Sequence, residues 1–249
     1  MRELVYLSKR KLRQFDLGRR GLGAHLKAVI KAPLGFGEVS VETETHRRDA
    51  PALETVIAAL DRSDRAPLWF TEKVQPGQWV QFEAPMSYTT IRNAVIFLDI
   101  AERSTVYPSG GDLRLLLHGS YQHLVGSNLP LRISVDELSE QSAAHSEVDA
   151  DALASVFNHF IRLIEYGSQL DINDFEPDRP IPFKNSIRAV GLGRVLPALS
   201  RHLHLPNTAA WMAGCARVTA VSRPPSGGRT ILFATPLYVE HVSPPPLDY

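Results

Sequence analysis

The sequence contains a single cysteine, Cys215, so the chain cannot form an intrachain disulfide and a reducing compartment is its expected location. This cysteine lies among small residues before an apolar run, a setting more typical of a buried structural thiol than of a nucleophile. No stretch approaches the roughly 18 consecutive apolar residues that span a bilayer. The first residues also lack the pattern of a signal peptide. These absences predict a cytoplasmic protein that does not contact a membrane.

The chain lacks a net charge as well, because 27 Lys and Arg residues balance 27 Asp and Glu residues. This balance argues against nucleic-acid binding as the function. The charges are unevenly distributed, however: residues 2–31 carry nine basic side chains, residues 184–239 carry no acid, and residues 136–178 carry eleven acids against Arg162. The two basic segments would form one electropositive face if they met in the fold. The alternative, which we favour, is that these charges pair with the acidic middle or face water.

The composition is that of an ordinary globular protein. Hydrophobic residues make up 44% and charged residues 22% of the 249 residues, enough for a sizeable core. The length suits one large domain. We therefore predict a single domain over residues 1–242, followed by a proline-rich tail at residues 243–249.

Strand signals come in groups rather than in strict alternation with helices. Alternating or continuous apolar runs predict strands at residues 4–7, 25–31, 38–44, 79–85, 94–100, 113–117, 216–222 and 230–239. Helical spacing and capping residues predict helices at residues 49–60, 149–166 and 187–204. Residues 127–148 resemble an irregular polar connection. This order favours an α+β fold, with a mainly antiparallel or mixed sheet and about three packed helices, and a partly closed barrel as the nearest alternative.

The strongest candidate for chemistry is the segment from His118 to His123, which includes Gly119 and Ser120 and follows an apolar strand. A strand that leads through Gly-Ser into a short helix offers backbone N–H groups that could hold a phosphate or carboxylate. Either histidine could act as a proton donor or base. The segment lacks the patterns of a phosphate loop and of a nucleophile elbow. The simpler interpretation is a turn in which Ser120 only caps the helix.

Other candidate motifs are weaker. Trp79 and Glu83 lie in an aromatic-rich region, residues 69–88, which could line a ligand pocket but more often would form core packing. The histidines lack the His-x-x-x-His spacing that places two imidazoles on one helical face, so no metal site and no cofactor is predicted. The segment Gly18–Gly23 lacks the full glycine spacing of a dinucleotide-binding fingerprint, so we predict a basic loop there.

Four short stretches together carry a resemblance that covers most of the chain. They are Leu4-Val5-Tyr6-Leu7-Ser8 with Lys11-Leu12, Pro76-Gly77-Gln78-Trp79-Val80-Gln81-Phe82-Glu83, Leu115-Leu116-Leu117-His118-Gly119-Ser120 with His123-Leu124, and Ala234-Thr235-Pro236-Leu237-Tyr238-Val239. This set resembles an uncharacterised family of actinobacterial proteins and, more distantly, small proteins that accompany predicted counter-invader (defence) gene clusters. The resemblance implies a defence or signalling context and supplies no catalytic residues.

Three functional hypotheses follow. The leading one is a non-enzymatic binding or regulatory module that recognises a small anionic ligand, a nucleotide or a partner protein through the His118–His123 turn and nearby basic residues. The second is a phosphoester-type hydrolase that uses His118 or His123 as acid or base, with Ser120 or a water as nucleophile. The third is a structural subunit of a larger assembly.

Overall fold

The computed structural model describes residues 3–12, 53–62, 66–99, 113–126, 132–144, 150–169, 192–203, 209–222 and 230–244. Contacts divide the chain into two compact units, residues 8–66 and the remainder. In the smaller unit, residues 9–12 and 53–61 are helical, and Leu12, Leu53 and Leu60 are buried. The predicted hairpin at residues 25–44, the Gly18–Gly23 loop and most of the proline-rich tail lie outside the described residues. The single domain over residues 1–242 stays a prediction.

The described residues of the larger unit form seven strands and three helices. The strands are β1 (Glu3–Leu7), β2 (Leu68–Trp69), β3 (Trp79–Ile91), β4 (Ala94–Asp99), β5 (Leu113–Ser120), β6 (Ala210–Ser222) and β7 (Thr230–His241). A 3₁₀ turn (Tyr121–His123) follows β5. The helices are α1 (Val135–Ala143), α2 (Ala150–Gln169) and α3 (Leu192–Leu203).

Five of these strands close into a barrel. Pairing runs from β3 to β4, β5, β7 and β6, and β6 returns to β3. Within this ring only the β5–β7 pair is parallel. Outside the ring, β1 extends β7 antiparallel and β2 extends β3 parallel. The prediction of an α+β fold is therefore confirmed, and the sheet closes into a barrel, which the sequence analysis gave in partly closed form as the nearest alternative.

One hydrophobic cluster fills the barrel. The period-2 alternation of β3 places Val80, Phe82 and Ala84 on one face, as the sequence predicted. These side chains pack against residues of every other barrel strand and against Val5 and Tyr6 of β1, with no helical residue among the buried members. A cluster supplied by all five strands and no helix is the barrel interior.

A second cluster lies between the barrel and the helices. Its strand members include Ile96 of β4 and Leu116 of β5, which alternate with residues of the interior. The helical stripe of α2 contributes Phe157, Phe160, Ile161 and Ile164, as the spacing of the sequence predicted. The helices therefore cover one outer face of the barrel.

Two sequence predictions are wrong in detail. Residues 127–148 are not an irregular connection throughout, because α1 occupies Val135–Ala143. In addition β5 continues to Ser120, so His118 lies inside the strand and not after its end. Gly119 lies in this strand directly beside the side chain of Tyr6. A Cβ atom at this position would lie 2.3 Å from the Tyr6 hydroxyl, so the packing requires glycine here.

Cys215 is buried, as the sequence predicted, and lies beside a glycine that the packing requires. A Cβ atom at Gly214 would lie 2.3 Å from the backbone oxygen of Tyr238 and 2.8 Å from the ring of Phe82. The small residues of this segment therefore allow β6 to approach β7 closely.

Candidate functional site

The structure places His118 inside the protein, on the barrel face that the helices cover. The residue is fully buried and pairs with Ile96 across the β4–β5 ladder. Its Nε2 atom lies 3.0 Å from the hydroxyl of Thr219, within hydrogen-bond distance. A buried imidazole with such a partner contributes to the structure of the barrel wall, and a ligand could reach it only if the helices moved.

The other residues of the His118–His123 turn join β5 to β1. The Ser120 hydroxyl accepts a hydrogen bond from the backbone N–H of Gln122, so this side chain caps the 3₁₀ turn. The ring of His123 packs edge-on against Tyr6, with 5.7 Å between ring centroids. Val125 donates its N–H to the backbone oxygen of Val5 at 2.9 Å. The capping interpretation thus describes the observed geometry, and ligand binding at this turn stays a prediction.

Trp79 and Glu83 do not lie beside this turn. Ser120 pairs with Ala94, and Ala94 pairs with Ile91, the last residue of β3. Trp79 is the first residue of β3, at the opposite end of the strand. At about 3.3 Å per residue, the two ends of β3 are roughly 40 Å apart along the strand. The predicted set of six residues is therefore divided between two parts of the barrel.

Around Trp79 the contacts are those of a packed side chain. The guanidinium of Arg217 lies over the Trp79 ring at 5.7 Å from the centroid and donates from Nε to the backbone oxygen of Gly77 at 2.9 Å. Both side chains are buried. Glu83 is half-buried and pairs with Ala213 of β6. These contacts favour the packing interpretation of the aromatic-rich region.

A polar cleft that sequence reasoning missed lies between α2 and the β3–β4 hairpin. Its volume is about 530 Å³, within the range of roughly 300–1,000 Å³ that small-molecule sites occupy. The lining residues of α2 recur at the three- and four-residue spacing of one helical face, opposite the buried stripe. The lining consists of Arg92, Asp151, Ala154, Ser155, Asn158, His159 and Arg162.

Arg92 reaches the cleft from the tip of the hairpin. It is the first of the two residues that join Ile91 to Ala94, and its φ angle is 54°. A positive φ at this turn position favours glycine, so an arginine there is strained. Its Nη2 atom donates a hydrogen bond to the side-chain oxygen of Asn158.

Neighbouring residues hold this tip in place. Arg132 donates from Nη2 to the backbone oxygen of Arg92 at 3.2 Å. Ile133 donates its N–H to the backbone oxygen of Thr90 at 3.0 Å. Because residues 132–133 hold the turn and Asn158 of α2 holds the guanidinium, the strained conformation of Arg92 persists and its side chain stays directed at α2.

Among the described residues that line the cleft, basic groups are in excess. Arg92 and Arg162 are both exposed and face one acidic side chain, that of Asp151. Guanidinium groups stay protonated throughout the physiological pH range and present donors that match phosphate and carboxylate oxygens. Ser155, Asn158 and His159 add polar groups between the charged ends. Chemically, the cleft is suited to hold an anionic group from solution.

Two sequence features mark residues that line this cleft. Arg162 is the lone base of a segment with eleven acids, and it lies on the solvent face of the long helix. Arg92 stands between the strands predicted at residues 79–85 and 94–100, and only the structure shows that it occupies a turn position where glycine is favoured. Neither signal identifies a site until α2 packs beside the hairpin.

The fold and the cleft define an α+β protein built on a closed five-stranded barrel, with helices on one outer face and an arginine-lined cleft at their edge. Residues 4–243 match a family of unknown function, DUF7019, and the chain belongs to that family. No curated protein and no solved structure matches the chain.

The family match confirms the resemblance to an uncharacterised family. In the described part of the chain, no helix is long and apolar enough to cross a membrane. Among the same residues, no three His, Cys, Asp or Glu side chains come together in a group that could hold a metal ion.

Proposed function

We propose that this protein is a binding module for a small anionic ligand, which it holds in the cleft between α2 and the β3–β4 hairpin. The observation that carries the proposal is the convergence of Arg92 and Arg162, from two separate elements, on one open cleft. This retains the anionic ligand predicted from the sequence and moves the site away from the His118–His123 turn. A regulatory role and a defence or signalling context stay predictions.

The geometry supports binding in three ways. Arg92 and Arg162 are exposed, so their guanidinium groups can exchange water for a ligand. Asn158 lies one helical turn before Arg162 and accepts a hydrogen bond from Arg92, which keeps the two arginines on the same part of the cleft. The strain at Arg92 is typical of a residue whose position serves binding rather than stability.

Calorimetric titration with inorganic phosphate and pyrophosphate tests the proposal. We expect saturable binding that Arg162→Gln weakens by about tenfold or more, because a hydrogen bond to a charged group contributes roughly 1.5–3 kcal/mol. Arg201→Gln provides a matched control, since Arg201 is an exposed arginine of α3 that does not line the cleft. Absence of binding to both anions, or equal losses in the two variants, would contradict the proposal.

The same titration compares the cleft with the turn predicted from sequence. If the anion occupies the cleft, Ser120→Ala and His123→Ala leave the affinity within about twofold of that of the native chain. If it occupies the turn, those two variants lose affinity and Arg162→Gln does not.

A further inference from the structure

The cleft has two chemically different ends. Asp151 and Arg162 are separated by about three turns of α2, or roughly 16 Å along the helix axis. Arg92 contacts Asn158 and so belongs to the Arg162 end. One end therefore presents two guanidinium groups, and the other presents a carboxylate. A ligand that fills the cleft needs an anion at one end and hydrogen-bond donors at the other.

The basic end suits a phosphomonoester better than a carboxylate. Each guanidinium can donate two parallel hydrogen bonds to one oxyanion. A phosphomonoester has three terminal oxygens and a charge close to −2 at neutral pH, so it can satisfy two arginines that approach from different elements. A carboxylate has two oxygens and one charge, and is matched by a single guanidinium.

The rest of the lining suits hydroxyl groups. The Asp151 carboxylate only accepts hydrogen bonds, while Ser155 and Asn158 can both donate and accept. Ala154 is the single apolar side chain among the described lining residues, and the imidazole of His159 is their only aromatic ring. Nucleobases are usually held by stacking on large aromatic side chains, and the described lining contains no Phe, Tyr or Trp. A row of sugar or polyol hydroxyls, by contrast, has partners along the whole cleft.

We propose that the ligand is a phosphorylated sugar or polyol, with its phosphate between Arg92 and Arg162 and its hydroxyls directed toward Asp151. This inference rests on the proposed function and names the chemical class of its ligand. Asp151 lies in the first turn of α2, where a carboxylate also stabilises the helix dipole. The test must therefore separate contact with the ligand from an effect on the helix.

Two variants make that separation. Asp151→Asn removes the carboxylate from the cleft. Asp136→Asn is the matched control, because Asp136 occupies the first turn of α1 and does not line the cleft. Both changes remove one acid from the start of a helix, and only the first changes the surface that would face the ligand hydroxyls.

The experiment is a calorimetric titration with inorganic phosphate, with pentose, hexose and inositol monophosphates, and with AMP. At least one of the sugar or polyol phosphates should bind about tenfold or more tightly than inorganic phosphate. Asp151→Asn should remove that advantage while inorganic phosphate binds this variant slightly more tightly, by less than about twofold, because a screened negative charge about 16 Å away is lost. Asp136→Asn should retain the full advantage.

Three results would overturn the inference and leave the proposed function intact. In the first, inorganic phosphate binds through Arg162 and no sugar or polyol phosphate binds more tightly. In the second, AMP binds more tightly than every sugar phosphate, which would show that a base is recognised. In the third, Asp151→Asn weakens inorganic phosphate as much as the sugar phosphates. Absence of any phosphate binding would instead overturn the proposed function itself.

Discussion

Among single residues, Arg92 shows most directly how stability and binding compete in this protein. Its φ angle of 54° costs roughly 1–3 kcal/mol for a residue with a side chain. The hydrogen bonds around it, from Arg132 to its backbone oxygen and from its own guanidinium to Asn158, recover part of that cost. The remaining strain has a physical reason if the guanidinium is needed in the cleft.

This reasoning predicts that Arg92→Gly separates the two properties. Glycine relieves the strain but loses the Asn158 hydrogen bond and adds freedom to the unfolded chain. We expect a free energy of unfolding that is unchanged or higher by up to about 1 kcal/mol, together with phosphate binding that is about tenfold or more weaker. Urea denaturation and phosphate titration measure the two quantities.

Asn93→Gly is the control for this prediction, because Asn93 is the other residue of the same turn and does not have a positive φ angle. Without strain to relieve, glycine at this position should lower stability by roughly 0.4–1 kcal/mol. Equal losses of stability in Arg92→Gly and Asn93→Gly would show that the backbone of Arg92 is not strained.

Among the secondary-structure elements, α1 has the most clearly defined start. Ser134 and Glu137 form a reciprocal capping box: the Ser134 hydroxyl accepts from the N–H of Glu137 at 3.0 Å, and Glu137 accepts from the N–H of Ser134 at 2.8 Å. The pKa of Glu137 is lowered mainly by the hydrogen bond from the Ser134 backbone N–H, and next by the hydrogen bond with the Ser134 side chain. The charge of His202 in α3 lowers it by a smaller amount. The cap therefore stabilises the ionised carboxylate.

We expect Ser134→Ala to lower the free energy of unfolding by about 1 kcal/mol near neutral pH, because a helix loses its N-cap. The pH dependence follows from the lowered pKa of Glu137. Its stabilising effect is complete above the unfolded pKa, near 4.5, and disappears as the pH falls through the folded pKa. Ser134→Ala keeps the backbone N–H that lowers this pKa most and loses only the contribution of the hydroxyl, so its difference from the native chain should narrow only slightly at about pH 3.5. Urea denaturation at both pH values measures it.

Ser134→Thr keeps the hydroxyl and should remain close to the native chain at both pH values. A difference between Ser134→Ala and the native chain that stays constant with pH would show that the cap acts independently of the Glu137 charge.

The sequence predicted elements whose signals are local. Val80, Phe82 and Ala84 alternate with polar neighbours, and that pattern alone assigns the faces of β3. The apolar stripe of α2 is equally clear. The start of α1 was missed, although the Ser134-x-x-Glu137 pattern is present, because Val135 and Leu138 give only a weak apolar period.

The candidate site depends on contacts that no local pattern contains. His118 follows an apolar run and precedes Gly-Ser, which suggested an exposed turn, but its burial comes from helices more distant in the sequence. Arg92 and Arg162 are separated by 70 positions and meet only because α2 packs beside the hairpin. Residue types could therefore suggest an anion as ligand, whereas the position of the cleft required the tertiary structure.

For the molecule as a whole, residues 8–66 are an insertion between two strands of the larger unit. The residues at the two ends of that insertion, Leu7 and Trp69, are linked by strand pairs that cross the sheet. The pairs are Leu7 with Tyr238, Tyr238 with Cys215, Cys215 with Gln81, and Gln81 with Trp69. These are four strand spacings, so Leu7 and Trp69 are at most about 20 Å apart. A flexible linker of about 20 residues, with a root-mean-square length near 25 Å, spans that distance.

Replacing residues 8–66 with such a Gly/Ser linker should leave a folded larger unit, because its pairing and both of its hydrophobic clusters come from residues outside the insertion. Cooperative unfolding in urea, and phosphate binding equal to that of the full chain, are the expected results. The same linker chain with Gly119→Ala serves as a reference for a disturbed barrel, since the added Cβ atom would collide with Tyr6. Non-cooperative unfolding of the unmodified linker chain would contradict the prediction.

The pairing of β1 with β7 also determines how late during synthesis the sheet can be completed. Glu3 pairs with His241, so β1 and β7, the first and last of the described strands along the chain, form one ladder. At about 5–20 residues per second, roughly 10–50 seconds of translation separate the two strands. During that interval Val5 and Tyr6 have no complete core to enter. Pairing over such sequence distances is intrinsically slow. The apolar residues of β1 are therefore open to aggregation until β7 has been synthesised.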